Sequence, residues 1–554
     1  MKRNLVQLSE NVYDLVIVGG GIYGACVAWE ASLRGLSVAL VEKADFGSAT
    51  SANSFKIIHG GLRYLQQADF KRMRESIQER TTLMRIAPHL VHPLPILVPT
   101  YGHGIKGKEA LGLAMKINDL ISCDRNLLND PQKHIPRGRT ISTQECQQLL
   151  PNIPHQRLTG GAIFHDAQVY NSERLTLAFI RSAEEAGAKV ANYTEVIGFL
   201  QTGNCVAGVQ VKDTLTGNQF EIRAKTVVNT CGPWLNRVLG LLKPQSVKIQ
   251  FAKAMNLVLR RSLLENYAVG LTHRDLALRA SEADRQSKSS RFLFIAPWQN
   301  KSMVGTYYTA YDGEPDAFRI TNQDITNFLE QINQTYPSAN LKLDDVAFVH
   351  GGLLPQTDFD AQTTEPVLSK HYQLRDYSQE GLKGLISVVG VKYTTARDVA
   401  QKTVDLIFKS WKQKTPRSIS AQVPLYGGKI ANFNSFLDRA INSNSSGLSK
   451  GVIRRLVYNY GSAYPNVLKY LKQDGDRAVL QAEVLYAVHE EMAQKLSDVI
   501  LRRTGLGSAG YPGDRELKLC AETMGRELGW SDRKIEQELA EIERVYPNLS
   551  VVSV

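Results

Sequence analysis

Three glycines, an acidic residue and a polar run mark the chemistry near the start of the chain. Gly19, Gly21 and Gly24 fit the spacing GxGxxG. Gly19 allows a tight turn, Gly21 lets the backbone approach a pyrophosphate, and Gly24 lets a helix pack closely on a strand. Glu42 closes the next apolar run, where its carboxylate can accept hydrogen bonds from both ribose hydroxyls. The pattern points to a dinucleotide and by itself leaves NAD and FAD open. Downstream, Thr50, Ser51, Ser54 and Lys56 lead from a polar stretch into an apolar, glycine-rich one that contains His59, Arg63 and Tyr64. Such a segment can lie along an extended cofactor or form an ordinary loop and strand.

The elements needed to position these residues are legible around them. Residues 13–18 read as a short apolar strand, 25–34 as a helix ending at Gly35, and 37–41 as a second strand. Together they make a βαβ unit whose helix N-terminus offers N–H groups to phosphates. An amphipathic helix is expected over 172–186, then strands over 189–193 and 206–211, with Thr216-Gly217-Asn218 as a hairpin turn. Residues 292–297 and 303–306 read as antiparallel strands covered by a helix over 322–335. Residues 442–446 read as a linker, and 483–503 as an amphipathic helix with a charged outer face.

A chain of 554 residues allows three or four such units. Its 43% hydrophobic and 22% charged content points to folded domains rather than long disorder. The 66 basic against 54 acidic residues, a net +12, favour anionic partners. No basic-aromatic interleaving is present, so nucleic acid is not expected among them. The six cysteines form no CxxC pair and no metal-ligand spacing occurs, so no metal is expected and a reducing cytosol is. Residues 1–10 lack an apolar signal core. The uncharged run 86–105 is broken by Pro88, Pro93, Pro95 and Pro99, which argues against a membrane span.

The chain resembles the FAD-dependent glycerol-3-phosphate dehydrogenase family. The resemblance rests on the glycine fingerprint, the run from Ala49 to Lys56, and the IHGGLRYL block from Ile58 to Leu65. It continues in VVNTCGPW from Val227 to Trp234 and SVVGVKYTT from Ser387 to Thr395, and it spans about residues 12–510. It implies FAD as cofactor, contacted by Gly19, Gly21, Gly24, Glu42, Thr50, Ser51, Ser54, Lys56, Val196, Gly232, Gly390 and Thr394. The implied fold is α/β: a Rossmann-type FAD-binding domain, an antiparallel-sheet substrate domain (α+β) and a C-terminal helical domain. The expected boundaries are 1–95, 155–240 and 356–425 for a discontinuous FAD-binding domain, 96–154 for an insertion, 241–355 for the substrate domain and 440–554 for the helical domain.

The implied reaction is oxidation of sn-glycerol 3-phosphate to dihydroxyacetone phosphate, with electrons passed to quinone. A flavin takes hydride at N5 while a base removes the hydroxyl proton. A histidine suits proton removal near neutral pH, which makes His59 the candidate base. Arg63, Tyr64 and Lys392 match family positions on the active-site side of the flavin. Cys231 reads as a small packed residue rather than a nucleophile.

Departures from the family cluster in the substrate half. Leu354 stands where the family's GVRP strand has a phosphate-binding arginine, and Lys370 near a second arginine. The family's KGSH segment reads Lys253-Ala254-Met255-Asn256 here, and its GTTD reads Gly305-Thr306-Tyr307-Tyr308. Phosphate-binding charge would then come from Lys370, Lys253, Arg63 and Lys392. The alternative is a related flavin oxidoreductase acting on another polyol, sugar or amino-acid-like substrate. In 106–123, Lys106, Lys108 and Lys116 accompany an apolar side led by Leu111 and Met115, which also includes Leu113, Ile117, Leu120 and Ile121. Such a helix can lie in a membrane surface or pack on the protein's own core. The family places its members peripherally on the inner face of the cytoplasmic membrane. A homodimer is left open.

Overall fold

In this computed structural model the described residues are 1–102, 107–242, 248–272, 292–359, 366–444, 447–473 and 475–546, the side chains of residues 63, 66 and 67 excepted. Val12–Val18 is the central strand of an eight-stranded sheet, buried almost throughout. It pairs in parallel with Val38–Val41 on one side and Gln219–Asn229 on the other. Lys189–Ala191 and Leu385–Val389 extend the parallel core on the two flanks, and Gln373–Asp376 adds an antiparallel edge. Thr194–Thr202 and Cys205–Asp213 fold back antiparallel on Gln219–Asn229, with the turn at Gly217 closed by its N–H donating to the Asp213 carbonyl. The order of connections reverses at Val12–Val18, which opens a crevice at the carboxyl ends of the strands.

The helix Ile22–Leu33 is buried nearly all round. It packs against the helices Ser172–Glu185 and Ala396–Ser410, with Trp29 edge-on to Phe179 at 5.4 Å. Gly24 explains how closely it enters: a Cβ there would overlap the Gly19 carbonyl oxygen.

A second sheet has ten strands. Gln250–Leu259, Lys301–Tyr311, Phe292–Trp298 and Ala268–Thr272 form its antiparallel middle, with Val346–Phe359 beside the first of them. The helix Asn322–Thr335 begins at a capping box made by Thr321 and Asp324 and buries Ile325, Phe328, Leu329 and Ile332. This sheet is larger than the sequence suggests. Val91–Tyr101 and Leu158–Val169, both reaching into stretches expected to belong to the FAD-binding domain, pair with each other, and Val91–Tyr101 runs on to Ala268–Thr272. Ile57–Ile58 pairs with the end of Leu158–Val169, so the second sheet reaches the segment that carries His59.

The helical region starts before the expected residue 440. Phe433–Asn442 already packs Phe433, Leu437 and Ala440 against Ile453 and Leu456 of Lys450–Tyr460. The single helix expected over 483–503 is interrupted. Asp476–Glu491 ends at Met492, which has φ +55°, and Asp498–Arg503 forms a π-helical turn. The charges read as an outer face are the cause. Asp498, Arg502 and Arg503 are buried, and both arginines bond the carboxylate of Asp45 at 2.6–2.7 Å. That pairing turns the segment inward, against the loop that follows Glu42.

Candidate active site

A single cavity of about 1560 Å³ runs between the two sheets, from the glycine turn to the start of the helix Phe70–Ile86. It exceeds the roughly 300–1,000 Å³ of an ordinary small-molecule pocket and suits a dinucleotide with a substrate beside it.

Gly19, Gly21, Glu42, Thr50, Ser51, Ser54, Val196, Gly232, Gly390 and Thr394 all line this cavity. Gly19 has φ +101°, and a Cβ on it would press the Thr230 carbonyl and Cys231 backbone at 3.0 Å. A Cβ on Gly21 would stand 3.1 Å from the Ser51 hydroxyl oxygen, inside the space a pyrophosphate needs. Gly24 lies behind the turn and serves it through packing. The Glu42 carboxylate accepts hydrogen bonds from the Gly20 and Ala44 N–H groups at 2.7 and 2.9 Å. Burial raises its pKa despite those two donors. The nucleotide end is shut by a small polar cluster. Asp316, on the turn Pro315–Ala317, accepts from Lys43 Nζ at 2.6 Å and Trp234 Nε1 at 2.8 Å, and also bonds Arg237.

Lys56 is a correction. It does not line the cavity: its buried Nζ bonds the Glu173 carboxylate at 2.8 Å, the Ser172 hydroxyl and the Ala52 carbonyl. A buried ammonium must be paired, and Glu173 sits 117 residues away in sequence, at the start of the helix Ser172–Glu185. Lys56 therefore fixes the loop 49–56 from behind. Thr50 fixes it from the other side, donating its hydroxyl to the Leu353 carbonyl at 3.1 Å.

At the far end, His59 faces the cavity with 47% of its side chain exposed. Its Nδ1 is 3.4 Å from Asp166 Oδ2, and Asp166 Oδ1 accepts from the Gly60 N–H at 2.6 Å and Arg80 at 2.7 Å. Burial pushes the Asp166 pKa up, but the His59 hydrogen bond and the Arg80 charge more than reverse this and hold it ionised. Tyr64 lines the same end, with Lys392 Nζ 4.1 Å and the Arg72 guanidinium 4.6 Å from its ring centroid. Burial, then the charge of Arg72, lowers the Lys392 pKa to about 8. Arg63 falls in the 3-10 turn Leu62–Gln67, and its side chain lies outside those described. Leu354 and Lys370 are on the cavity wall. Lys253 is not: its Nζ is paired with Asp324 at 2.8 Å, so it is not placed to supply charge to the cavity. Cys231 lines the cavity and donates its thiol to the Val18 carbonyl, and burial raises its pKa far above the ordinary value, which argues against a thiolate nucleophile.

Two groups here escaped the sequence reading, Arg72 and the His59–Asp166–Arg80 chain. A signal existed. Arg72, Ser76, Glu79 and Arg80 recur at helical spacing and form a buried polar stripe on the helix Phe70–Ile86.

Residues 14–394 match the FAD dependent oxidoreductase family, and residues 418–535 match the C-terminal domain of alpha-glycerophosphate oxidase. The chain belongs to the FAD-dependent glycerol-3-phosphate dehydrogenase family. It is 31% identical over 558 residues to the glycerol-3-phosphate dehydrogenase of Synechocystis, covering 97% of each chain. It is also 31% identical to the aerobic glycerol-3-phosphate dehydrogenase of Staphylococcus haemolyticus, covering 91% of this chain and 88% of that one. Among solved structures, the Bacillus halodurans glycerol-3-phosphate dehydrogenase complexed with FAD superposes with a TM-score of 0.75 at 26% identity, covering 97% and 95% of the two chains. The cofactor is FAD. The cradle fits it: the Gly19–Gly24 turn offers room for the pyrophosphate, and Glu42 offers a carboxylate to the ribose.

Proposed function

We propose that the protein oxidises sn-glycerol 3-phosphate to dihydroxyacetone phosphate and passes the electrons to quinone. One observation carries this reading: the nucleotide cradle opens without a break into a cationic end that also holds a histidine–carboxylate pair. The names of the relatives point the same way. FAD would be held by Gly19, Gly21, Glu42, Thr50, Ser51, Ser54 and Val196, with Gly232, Gly390 and Thr394 along its length, and supplies hydride acceptance when bound. His59 Nε2 takes the proton of the substrate hydroxyl. Asp166, kept ionised, fixes the ring through Nδ1 and stabilises the imidazolium that results. Arg63, Tyr64 and Lys392 orient the oxygen-rich substrate. Turnover with a soluble quinone should yield one dihydroxyacetone phosphate per quinone reduced. Equal turnover of glycerol, or of a sugar or amino acid in preference, would instead support the related-substrate alternative.

A second observation supports action at a membrane surface. On the helix Lys108–Ile121, Met115 is buried and Leu111 lines the cavity, while Leu113, Ile117 and Leu120 point outward, Leu120 with 77% exposed. The apolar residues are thus divided between core and surface. Lys116 flanks the outer part, Lys108 lies on the Met115 side with its chain close to Gly160, and Lys106 lies outside the described residues. Among the described residues no helix is long and apolar enough to cross a membrane. Exposed leucines beside a lysine suit shallow insertion among anionic headgroups. Vesicles containing anionic lipid should therefore sediment the wild type, less so in high salt, and should release the L113S/L120S variant. Undiminished sedimentation of that variant would move the contact elsewhere.

A further inference from the structure

The substrate end holds a cation that lies outside every motif carrying the family resemblance. Arg72 stands in the first turn of the helix Phe70–Ile86, capped by Asp69. Its side chain is only 10% exposed, and it lines the cavity. Nε donates to Asp69 Oδ2, one terminal nitrogen donates to the Lys370 carbonyl at 3.1 Å, and the guanidinium faces Tyr64. A planar fork anchored in this manner loses little freedom when it meets an oxyanion.

The surroundings point to an anion there. Arg72 and Lys392 face one aromatic ring, and after burial the Arg72 charge does most to lower the Lys392 pKa, with Glu75 and Asp69 offsetting only part of it. An anion bound by both relieves that repulsion. The adjoining wall is the strand carrying Leu354. The Ser369 N–H donates to the Pro355 carbonyl at 2.8 Å, which sets Lys370 close to Leu354, and Arg72 is bonded to Lys370. Arg72 thus brings a guanidinium to the wall on which Leu354 offers neither charge nor hydrogen bond.

We infer that Arg72 selects a phosphorylated over an uncharged alcohol, its guanidinium and the Lys392 ammonium together receiving the phosphate dianion. This rests on glycerol 3-phosphate being the substrate. The test uses the FAD-loaded protein and its R72M and R72K variants. Three quantities are read: KM for glycerol 3-phosphate, the inhibition constant of inorganic phosphate, and flavin content. R72M should raise the first two together by about 10- to 100-fold, the range for losing a charge-assisted hydrogen bond. R72K should recover part of the loss, and flavin content should hold. Phosphate binding within about threefold of wild type in R72M overturns the inference, because methionine cannot supply the fork. If R72M loses its flavin, R72K decides: weaker phosphate binding supports the role, and unchanged binding overturns it. Wild type that binds phosphate but does not oxidise glycerol 3-phosphate overturns the substrate reading alone. Wild type that does neither overturns both.

Discussion

At the nucleotide end the glycine turn shapes the cavity with backbone. Gly19 and Gly21 leave space because they lack side chains, Gly24 permits the close packing behind them, and Glu42 is held by two main-chain N–H groups. At the substrate end the walls are side chains. His59 leans on Asp166, Tyr64 meets two cations, and Leu354 occupies a position that could have carried charge. The difference teaches where the molecule can change. At Gly19 and Gly24 an added Cβ presses on backbone, and at Gly21 it enters the pyrophosphate space, so these three positions tolerate almost no substitution. A wall of side chains can lose an arginine on a strand and present another from a helix, with the cofactor site untouched.

The largest effect should come from breaking the backbone wall. In Gly21→Val the added carbons enter the pyrophosphate space and meet only the Ser51 hydroxyl nearby. The variant should purify folded and colourless, with unchanged far-ultraviolet circular dichroism. A yellow Gly21→Val protein would show that the turn does not hold the pyrophosphate.

A smaller effect should follow from titrating the side-chain wall. Lys392 ionises near pH 8, and its ammonium is the form that attracts phosphate. As pH rises through 8 the charge is lost, so kcat/KM should fall above that point by up to about tenfold per pH unit. Bound anion favours the charged form, so the corresponding limb in kcat should lie at higher pH. Lys392→Arg should remove the limb from kcat/KM, because a guanidinium keeps its charge. A pH profile with the same alkaline limb in that variant would assign it to another group.

The smallest effect is expected at Leu354. If Arg72 already receives the phosphate, Leu354→Arg adds a second guanidinium to a satisfied anion, and KM for glycerol 3-phosphate should change by less than about tenfold. A larger gain would mean that the phosphate had relied on the lysines and Arg63, as the sequence by itself suggested.

The backbone end was legible in the sequence and the side-chain end only partly so. Glycine spacing, the following helix and Glu42 are local signals, and they fold within one βαβ unit. The helix Asn322–Thr335 was equally plain, because its cap and its apolar period lie within it. What escaped depends on partners distant in sequence. Lys56 looked like a cofactor ligand until Glu173 was brought to it. The charges near residue 500 looked solvated until Asp45, 458 residues from Arg503, was placed among them. The strand Leu158–Val169 belonged to the second sheet because Val91–Tyr101 pairs along nearly its whole length. Arg72 lies in the basic stretch Lys71–Arg74, and the packing of its helix is what turns it inward.

The central claim is that the two ends form one site in which a phosphorylated alcohol reduces the bound flavin. It is tested most directly by mixing the FAD-loaded protein with glycerol 3-phosphate in the absence of oxygen and following the flavin absorbance. Stoichiometric glycerol 3-phosphate should bleach it rapidly, and the same concentration of glycerol should not. Flavin that stays oxidised with glycerol 3-phosphate, or bleaches equally with glycerol, would contradict it.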